Sequence, residues 1–392
     1  MTRAPQFPPD FLWGVATGAH QTEGGNVASD WWYRDHLPDS PSAERCGDAV
    51  DSYHRWPEDL DLAAGAGFTD YRFGIEWSRI EPADGHLSTA AVAHYRRIVE
   101  GAWSRGLRPL VTLHHFTLPL WFAAGGGWLR PDATERFLRY VDALAPVLEG
   151  VGFVETINEP NIVAMFPKLA AGVAGGLPVP DDAIAEAMIA VHRATVDRLR
   201  ANHPGLRVGW GISVQDYQAE PGAEAALEAY AEPRDQAFLR ASADDDFVGV
   251  QTYTGGRLRA DGTVVEVPDA ERTQTGWEYT PAALGGAVRR VARVVPGVPI
   301  IVTENGLATD DDARRIAYTT GALESLRAAM DDGADVRGYF HWSLLDNWEW
   351  GHWGPTFGLV AVERTTFERK PKPSLAWLGS LAPSVPSGRG GA

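Results

Sequence analysis

Cysteine is almost missing: Cys46 stands alone in 392 residues. No intrachain disulfide can form, and nothing ties the chain to an oxidising compartment. Lysine is nearly as scarce, at Lys168, Lys370 and Lys372 only, and the formal net charge is −17. Without a basic cluster, neither nucleic acid nor an anionic membrane is expected as a partner. No apolar run approaches the ~20 residues of a membrane helix, and the first ten residues lack the apolar stretch of a secretory leader. A soluble, cytoplasmic protein is the expectation. Metal-ligand spacing patterns are also poorly represented. His114 and His115 are adjacent, so on a strand they point to opposite faces, and no His-x-His or acidic cluster accompanies them. No metal or other cofactor is expected.

What the chain does have is aromatic and apolar. Hydrophobic residues make up 44% and tryptophan occurs fifteen times, more than packing demands. Carbohydrate sites set flat indoles against the apolar faces of sugars, although most of these tryptophans belong to a core. Eight β-branched or strongly apolar runs follow one another: Phe11–Thr17, Asp70–Trp77, Arg108–His115, Phe153–Asn158, Arg207–Val214, Phe247–Thr254, Pro299–Glu304 and Arg337–Ser343. Most lack polar alternation, as strands buried on both faces do. Helical spacing appears between them, most clearly over Trp56–Ala66, Ala90–Arg105, Pro131–Leu148, Asp182–Asn202 and Asp312–Asp331. Strand alternating with helix eight times predicts an α/β fold of the (β/α)8 type, a TIM barrel with inserted loops. No linker interrupts it, so residues 1–382 read as one domain. Residues 383–392, small and rich in Gly, Pro and Ser, read as a disordered tail.

In such barrels, chemistry sits in the loops after the strand C-termini. Polar or aromatic groups fall at that rim on seven of the eight runs. Gln21 follows the first, Arg72 lies in the second and His115 ends the third. Asn158 and Glu159 end the fourth, Tyr253 the sixth and Glu304 the seventh, while Trp342 lies in the eighth with Glu349 and Trp350 beyond. Any one alone is more often structural than functional; the joint pattern carries the argument. Two carboxylates on one rim, Glu159 and Glu304, fit glycoside hydrolysis.

These stretches also carry a family resemblance. Phe11-Leu-Trp-Gly-Val-Ala-Thr-Gly-Ala-His-Gln-Thr-Glu-Gly, Asp51-Ser-Tyr-His-Arg-Trp, Tyr71-Arg-Phe-Gly-Ile-Glu-Trp-Ser-Arg-Ile, Thr156-Ile-Asn-Glu-Pro, Thr303-Glu-Asn-Gly, His341-Trp-Ser-Leu-Leu-Asp-Asn-Trp-Glu-Trp and Phe357-Gly-Leu-Val resemble, in order, the blocks of glycoside hydrolase family 1, the β-glucosidase family. The resemblance spans roughly residues 7 to 378. It implies a retaining double displacement, with Glu304 as nucleophile and Glu159 as acid and then base. It implies that Arg72 and Tyr253 support Glu304. Gln21 and Glu349 would bind the 3-, 4- and 6-hydroxyls, His115 and Trp350 the 3-hydroxyl and Asn158 the 2-hydroxyl, over a floor of Trp342. Trp31, Trp32, Trp121, Trp128, Trp348 and Trp353 are candidates for the leaving-group side.

The chain also departs from that pattern. Gln251 and Thr252 stand where the family usually has Asn-Tyr, and Phe116 replaces a frequent Trp. Gly354-Pro-Thr-Phe-Gly, with Thr356, lacks the usual Arg and is a residue shorter. The loop after Trp350 has no lysine to grip a phosphate, which disfavours a 6-phosphoglycosidase. The expected activity is therefore an exo-acting β-glycosidase on glucosides, galactosides or fucosides, its partner a small β-glycoside or oligosaccharide. The alternatives are a transglycosidase on the same fold and, less in keeping with a complete site, a non-catalytic carbohydrate-binding barrel.

Overall fold

The computed structural model describes residues 5–169, 176–266, 268 and 272–383. Eight parallel strands close on themselves: β1 Leu12–Ala16, β2 Asp70–Gly74, β3 Arg108–Thr112, β4 Phe153–Asn158, β5 Arg207–Ser213, β6 Val248–Gln251, β7 Ile300–Asn305 and β8 Val336–Trp342. Each pairs with its sequence neighbours, and β1 pairs with β8 from Leu12↔Gly338 to Ala16↔Trp342, which closes the ring. This is the expected (β/α)8 barrel.

Side-chain alternation divides the apolar residues into two layers. Trp13, Val15, Val111, Val154, Val208, Val250 and Val302 face outward, into a core shared with the helices. Leu12, Ala16, Leu110, Phe247, Ile301, Phe340 and Trp342, with Phe153, form a separate interior cluster. Each strand is thus wet on neither face, which is why the runs carry little polar alternation.

Six of the expected strands end earlier than the apolar runs do. The ladder stops at Ala16, Gly74, Thr112, Ser213, Gln251 and Trp342, so His115 and Tyr253 stand beyond their strands rather than at the last position. Beyond those points the backbone still bonds to neighbours, as from Leu113 N to Glu155 O at 2.8 Å and Asn158 N to His114 O at 2.8 Å, but out of ladder register. The register also slips between Glu155 and Asn158, between Val250 and Gln251, and between Tyr339 and His341. Such irregularities re-aim side chains, and these fall at the rim end of the strands.

The helices follow the sequence more closely. Asp182–Asn202 and Asp312–Asp331 form as expected, started by Asp181 and Asp311, whose carboxylates accept from first-turn N–H groups. The expected helix 131–148 is broken into Ala133–Ala143 and Ala145–Leu148. Pro146 has no N–H to give to the Asp142 carbonyl and its ring crowds that group. Ser52–Ala66 starts four residues before Trp56 and keeps Pro57 inside, giving up one bond near its start rather than ending. Two strand pairs outside the barrel, Asp216–Ala219 with Gly255–Leu258 and Val360–Val362 with Arg369–Pro371, were not foreseen. The expected tail lies outside the described residues from 384 onward. Among the described residues, no helix is long and apolar enough to cross a membrane.

Candidate active site

A cavity of about 840 Å³ opens at the C-terminal ends of the strands. Glu159 and Glu304 both line it, with His115, Gln251, Tyr253, Trp342, Glu349 and Trp350. Glu304 is the penultimate residue of β7. Glu159 is the first residue beyond β4, in the left-handed region at φ 44 and ψ 57. Pro160 disfavours the right-handed helical conformation for the residue before it, and Glu159 N donates to Gly211 O at 2.7 Å to hold the turn. A non-glycine residue in that region is strained, which is common where a side chain must be aimed.

The two carboxyls have different surroundings. Arg72, fully buried on β2, donates from Nη1 to Glu304 Oε1 at 2.7 Å, and the Tyr253 hydroxyl donates to Glu304 Oε2. Burial pushes the Glu304 carboxyl up, and the Arg72 charge and these hydrogen bonds pull against it. Glu159 also feels burial first and then the charge of Glu304, with less to oppose them, and is raised to about 8. Glu304 stays above its ordinary value, but of the pair it alone has a hydrogen-bonded cation and phenol to favour its charged form. Burial works against the Arg72 charge, but Glu155 and Glu304 outweigh it and hold the guanidinium above its ordinary value. Burial and the two glutamates push Tyr253 well up, so its phenol stays a donor.

The remaining expected residues gather around this pair. Gln21 is buried in the turn of helix after β1. Its Nε2 donates to Asn347 Oδ1 at 3.0 Å and Glu349 Oε2 at 3.2 Å, while its Oε1 has no hydrogen-bond partner. Trp342 Nε1 donates to Glu349 Oε1 at 3.1 Å. Burial raises Glu349 to about 8, against the Trp342 hydrogen bond. His115 is held well below its ordinary value by burial and by Arg72, so its ring is neutral; it stacks on Trp350 at 5.8 Å and leaves Nδ1 unpartnered. Asn158 and Arg72 lie beneath the cavity wall. Asn158 Oδ1 accepts from Arg72 Nη2 and from Gln251 Nε2, and its Nδ2 lies 3.3 Å from His115 Nε2. His114 points away from the cavity, against Trp128.

The departures find structural roles. Gln251 reaches Asn158 Oδ1 at 2.7 Å, Thr252 Oγ1 satisfies Val214 O at 2.8 Å, and Phe116 packs on Trp350 at 4.7 Å. Thr356 binds Gln274 Oε1 and Thr309 O. Of the six candidate tryptophans, Trp31 lines the cavity and Trp348 packs beneath it. Trp121 and Trp128 belong to the aromatic core around Trp77. Trp32 stacks on His36 and Trp353 binds Arg45 O.

Two features escaped the sequence reading. Trp277, in the loop after β6, lines the cavity and packs against Tyr253 at 5.4 Å; nothing in its local sequence marks it. Glu155 lies fully buried in β4, with Oε2 accepting from Arg72 Nε at 2.6 Å and from Thr112 Oγ1 at 3.0 Å. An acid inside a strand otherwise buried on both faces was the signal available for it.

The chain is similar to known proteins over most of its length. The model of glycosyl hydrolase family 1 matches residues 3–254 and 244–385. The thermostable beta-glucosidase B of Thermobispora bispora is 32% identical over 425 residues, covering 95% of this chain and 89% of its own. An apo structure of a beta-glucosidase 1317 superimposes with a TM-score of 0.86 at 45% identity, covering 95% of this chain and 98% of its own. The beta-glycosidase BGL167 gives a TM-score of 0.89 at 42% identity, over 96% and 97%. On its barrel, its ordered motifs and these matches, the chain belongs to glycosyl hydrolase family 1 and is a glycosidase.

Proposed function

We propose that this chain is a retaining, exo-acting β-glycosidase, with residues 1–382 as one catalytic unit and β-glucosides as the first substrates to consider. The observation that carries the reading is the unequal treatment of the two glutamates: Arg72 and Tyr253 both donate hydrogen bonds to Glu304, and neither donates one to Glu159. Glu304, ionised, attacks the anomeric carbon and forms an ester bond. The glycosidic C–O bond breaks, and the leaving oxygen takes the proton of Glu159. Esterification removes the Glu304 charge, one of the causes that raise Glu159, so Glu159 becomes a base. It takes a proton from water, whose oxygen attacks the anomeric carbon and releases Glu304 as a carboxylate.

Recognition of the sugar is assigned to Gln21, whose Oε1 is unpartnered, to Glu349, His115, Trp350 and Asn158, and to Trp342 as floor. Buried polar groups that need a hydroxyl discriminate strongly against a sugar lacking it. The relatives named as beta-glucosidases support glucose as glycone. Aromatic walls at Trp31, Phe116, Phe166 and Trp277 favour a second reading, transfer to an apolar acceptor that displaces water. A panel of aryl β-glucosides, β-galactosides and β-fucosides, with and without an added alcohol acceptor, separates these. Hydrolysis of at least one glycoside is expected, and silence across the panel would sink the proposal.

A further inference from the structure

Arg72 serves two carboxylates, and the proposed mechanism uses only one of them. Its Nη1 donates to Glu304 Oε1 at 2.7 Å and its Nε donates to Glu155 Oε2 at 2.6 Å, all three residues being buried. Glu155 shares the interior face of β4 with Phe153, two residues before it, where barrels ordinarily carry branched apolar side chains. The barrel makes room for it. A methyl on Gly249 of β6 would stand 2.5 Å from Glu155 Oε1, and one on Gly211 of β5 would stand 2.8 Å from it. Oε1 has no hydrogen-bond partner. A buried ion pair with a free oxygen and two glycines cleared around it is a poor device for stability.

Its position gives it another use. The polar and titratable groups packed around this cluster are Arg72 from β2, Thr112 from β3, Asn158 from β4, Gln251 from β6, Glu304 from β7, and Glu159, His115 and Tyr253 from the loops above. Among the described residues that carry the cluster's charge, Arg72 is the one cation. In free enzyme it is divided between two anions. Once Glu304 is esterified, it belongs to Glu155 alone.

We propose that Glu155 is a positioning residue of the reaction: by competing with Glu304 for Arg72, its charge disfavours the ionised nucleophile and favours the glycosyl-enzyme. The inference rests on the retaining roles assigned above to Glu304 and Glu159. Glu155 thereby speeds formation of the intermediate and slows its breakdown. The same charge raises both Glu159 and Glu304, so it also places the two limbs of the pH profile.

The test uses Glu155→Gln, which keeps the shape and an acceptor for Arg72 Nε but removes the charge. Two substrates are compared: phenyl β-glucoside, limited by formation of the intermediate, and 2,4-dinitrophenyl β-glucoside, limited by its breakdown. The expected result is a split. For the phenyl glucoside, kcat/KM falls about tenfold, the effect of roughly one pKa unit of nucleophile over-stabilisation. For the dinitrophenyl glucoside, kcat holds or rises while KM rises, because the intermediate no longer accumulates. Both limbs of kcat/KM against pH move to lower pH. A side chain that merely props Arg72 gives the opposite: both kinetic constants fall together, and the acid limb moves up as Glu304 loses its cation. That result overturns the proposal. Glu155→Asp, with its charge one methylene farther from Arg72, falls between wild type and the Gln variant on both readouts. It decides the matter if the Gln variant does not fold: an intermediate shift in the same direction supports the proposal, and an upward acid limb overturns it. Wild type is examined first, with 2-deoxy-2-fluoro-β-glucosyl fluoride. Absence of a label on Glu304 overturns the assigned roles themselves, whereas a label with no split in the variants overturns the Glu155 role alone.

Discussion

Replacing Glu159 by Gln should make this protein more stable, and only above mildly acidic pH. The carboxyl ordinarily titrates near 4.5 and in the folded protein near 8. A raised carboxyl binds its proton more tightly when folded, so between those values the folded state holds a proton that the unfolded state has released. Stability therefore falls as pH rises through that window. At pH 7 the gap is roughly 2.5 pKa units, or ~3.4 kcal/mol at about 1.36 kcal/mol per unit. Glu159 is only part-buried against the open cavity, and water there screens the effect, so about half, ~2 kcal/mol, is the working expectation. Gln is neutral and nearly the shape of the protonated acid, and it removes this cost. With an unfolding entropy near 2.1 cal/mol/K per residue, 392 residues give ~0.8 kcal/mol/K, and the melting temperature should rise by ~2–3 °C at pH 7. At pH 4, where both states are protonated, variant and wild type should melt together. Differential scanning calorimetry at pH 4, 5.5, 7 and 8 measures the difference. An offset independent of pH, or a variant less stable at pH 8 than at pH 4 relative to wild type, would refute the reasoning. Stabilisation by removing a strained acid is what a site shaped for reaction should show.

Two further substitutions probe the roles of the pair. Glu159→Ala should lower kcat/KM for phenyl glucosides by 10²-fold or more and for dinitrophenyl glucosides far less, because only the poorer leaving group needs a proton; equal losses on both would contradict the acid assignment. Tyr253→Phe removes a hydrogen bond to a charged acceptor, worth ~1.5–3 kcal/mol. Losing it should cut kcat/KM by about 10–100-fold and move the acid limb of the profile up, since the phenol holds Glu304 down. A limb that stays in place would show that the bond does not act on Glu304.

Much of this could be read from the residues, and the gaps have physical causes. The eight runs carry the barrel because strands covered on both faces leave a continuous apolar signature. The same signature cannot say where pairing stops, so His115 and Tyr253 were set at strand ends and stand beyond them. Glu159 and Glu304 were legible because each closes an apolar run against turn residues. Arg72 was legible as the partner of Glu304, but its second partner was not. Glu155 meets Arg72 only because β2, β3 and β4 are neighbours in the closed ring, and such contacts between distant segments leave no mark on either. The tryptophans show the same limit. Trp31 and Trp121 look alike in sequence, yet one lines the cavity and the other packs edge-on against Trp77. Pro146 is visible in the sequence, but the apolar periodicity that runs through it hides the break it makes in the 131–148 helix.

Double displacement by Glu159 and Glu304 leaves a stereochemical signature. Proton NMR of a β-glucoside during its first minutes of hydrolysis reads it directly, from the anomeric signal before the sugar mutarotates. The β-anomer should appear first, with the α-anomer following slowly. An α-anomer as the first product would mean single displacement by water, and Glu304 would not be a nucleophile.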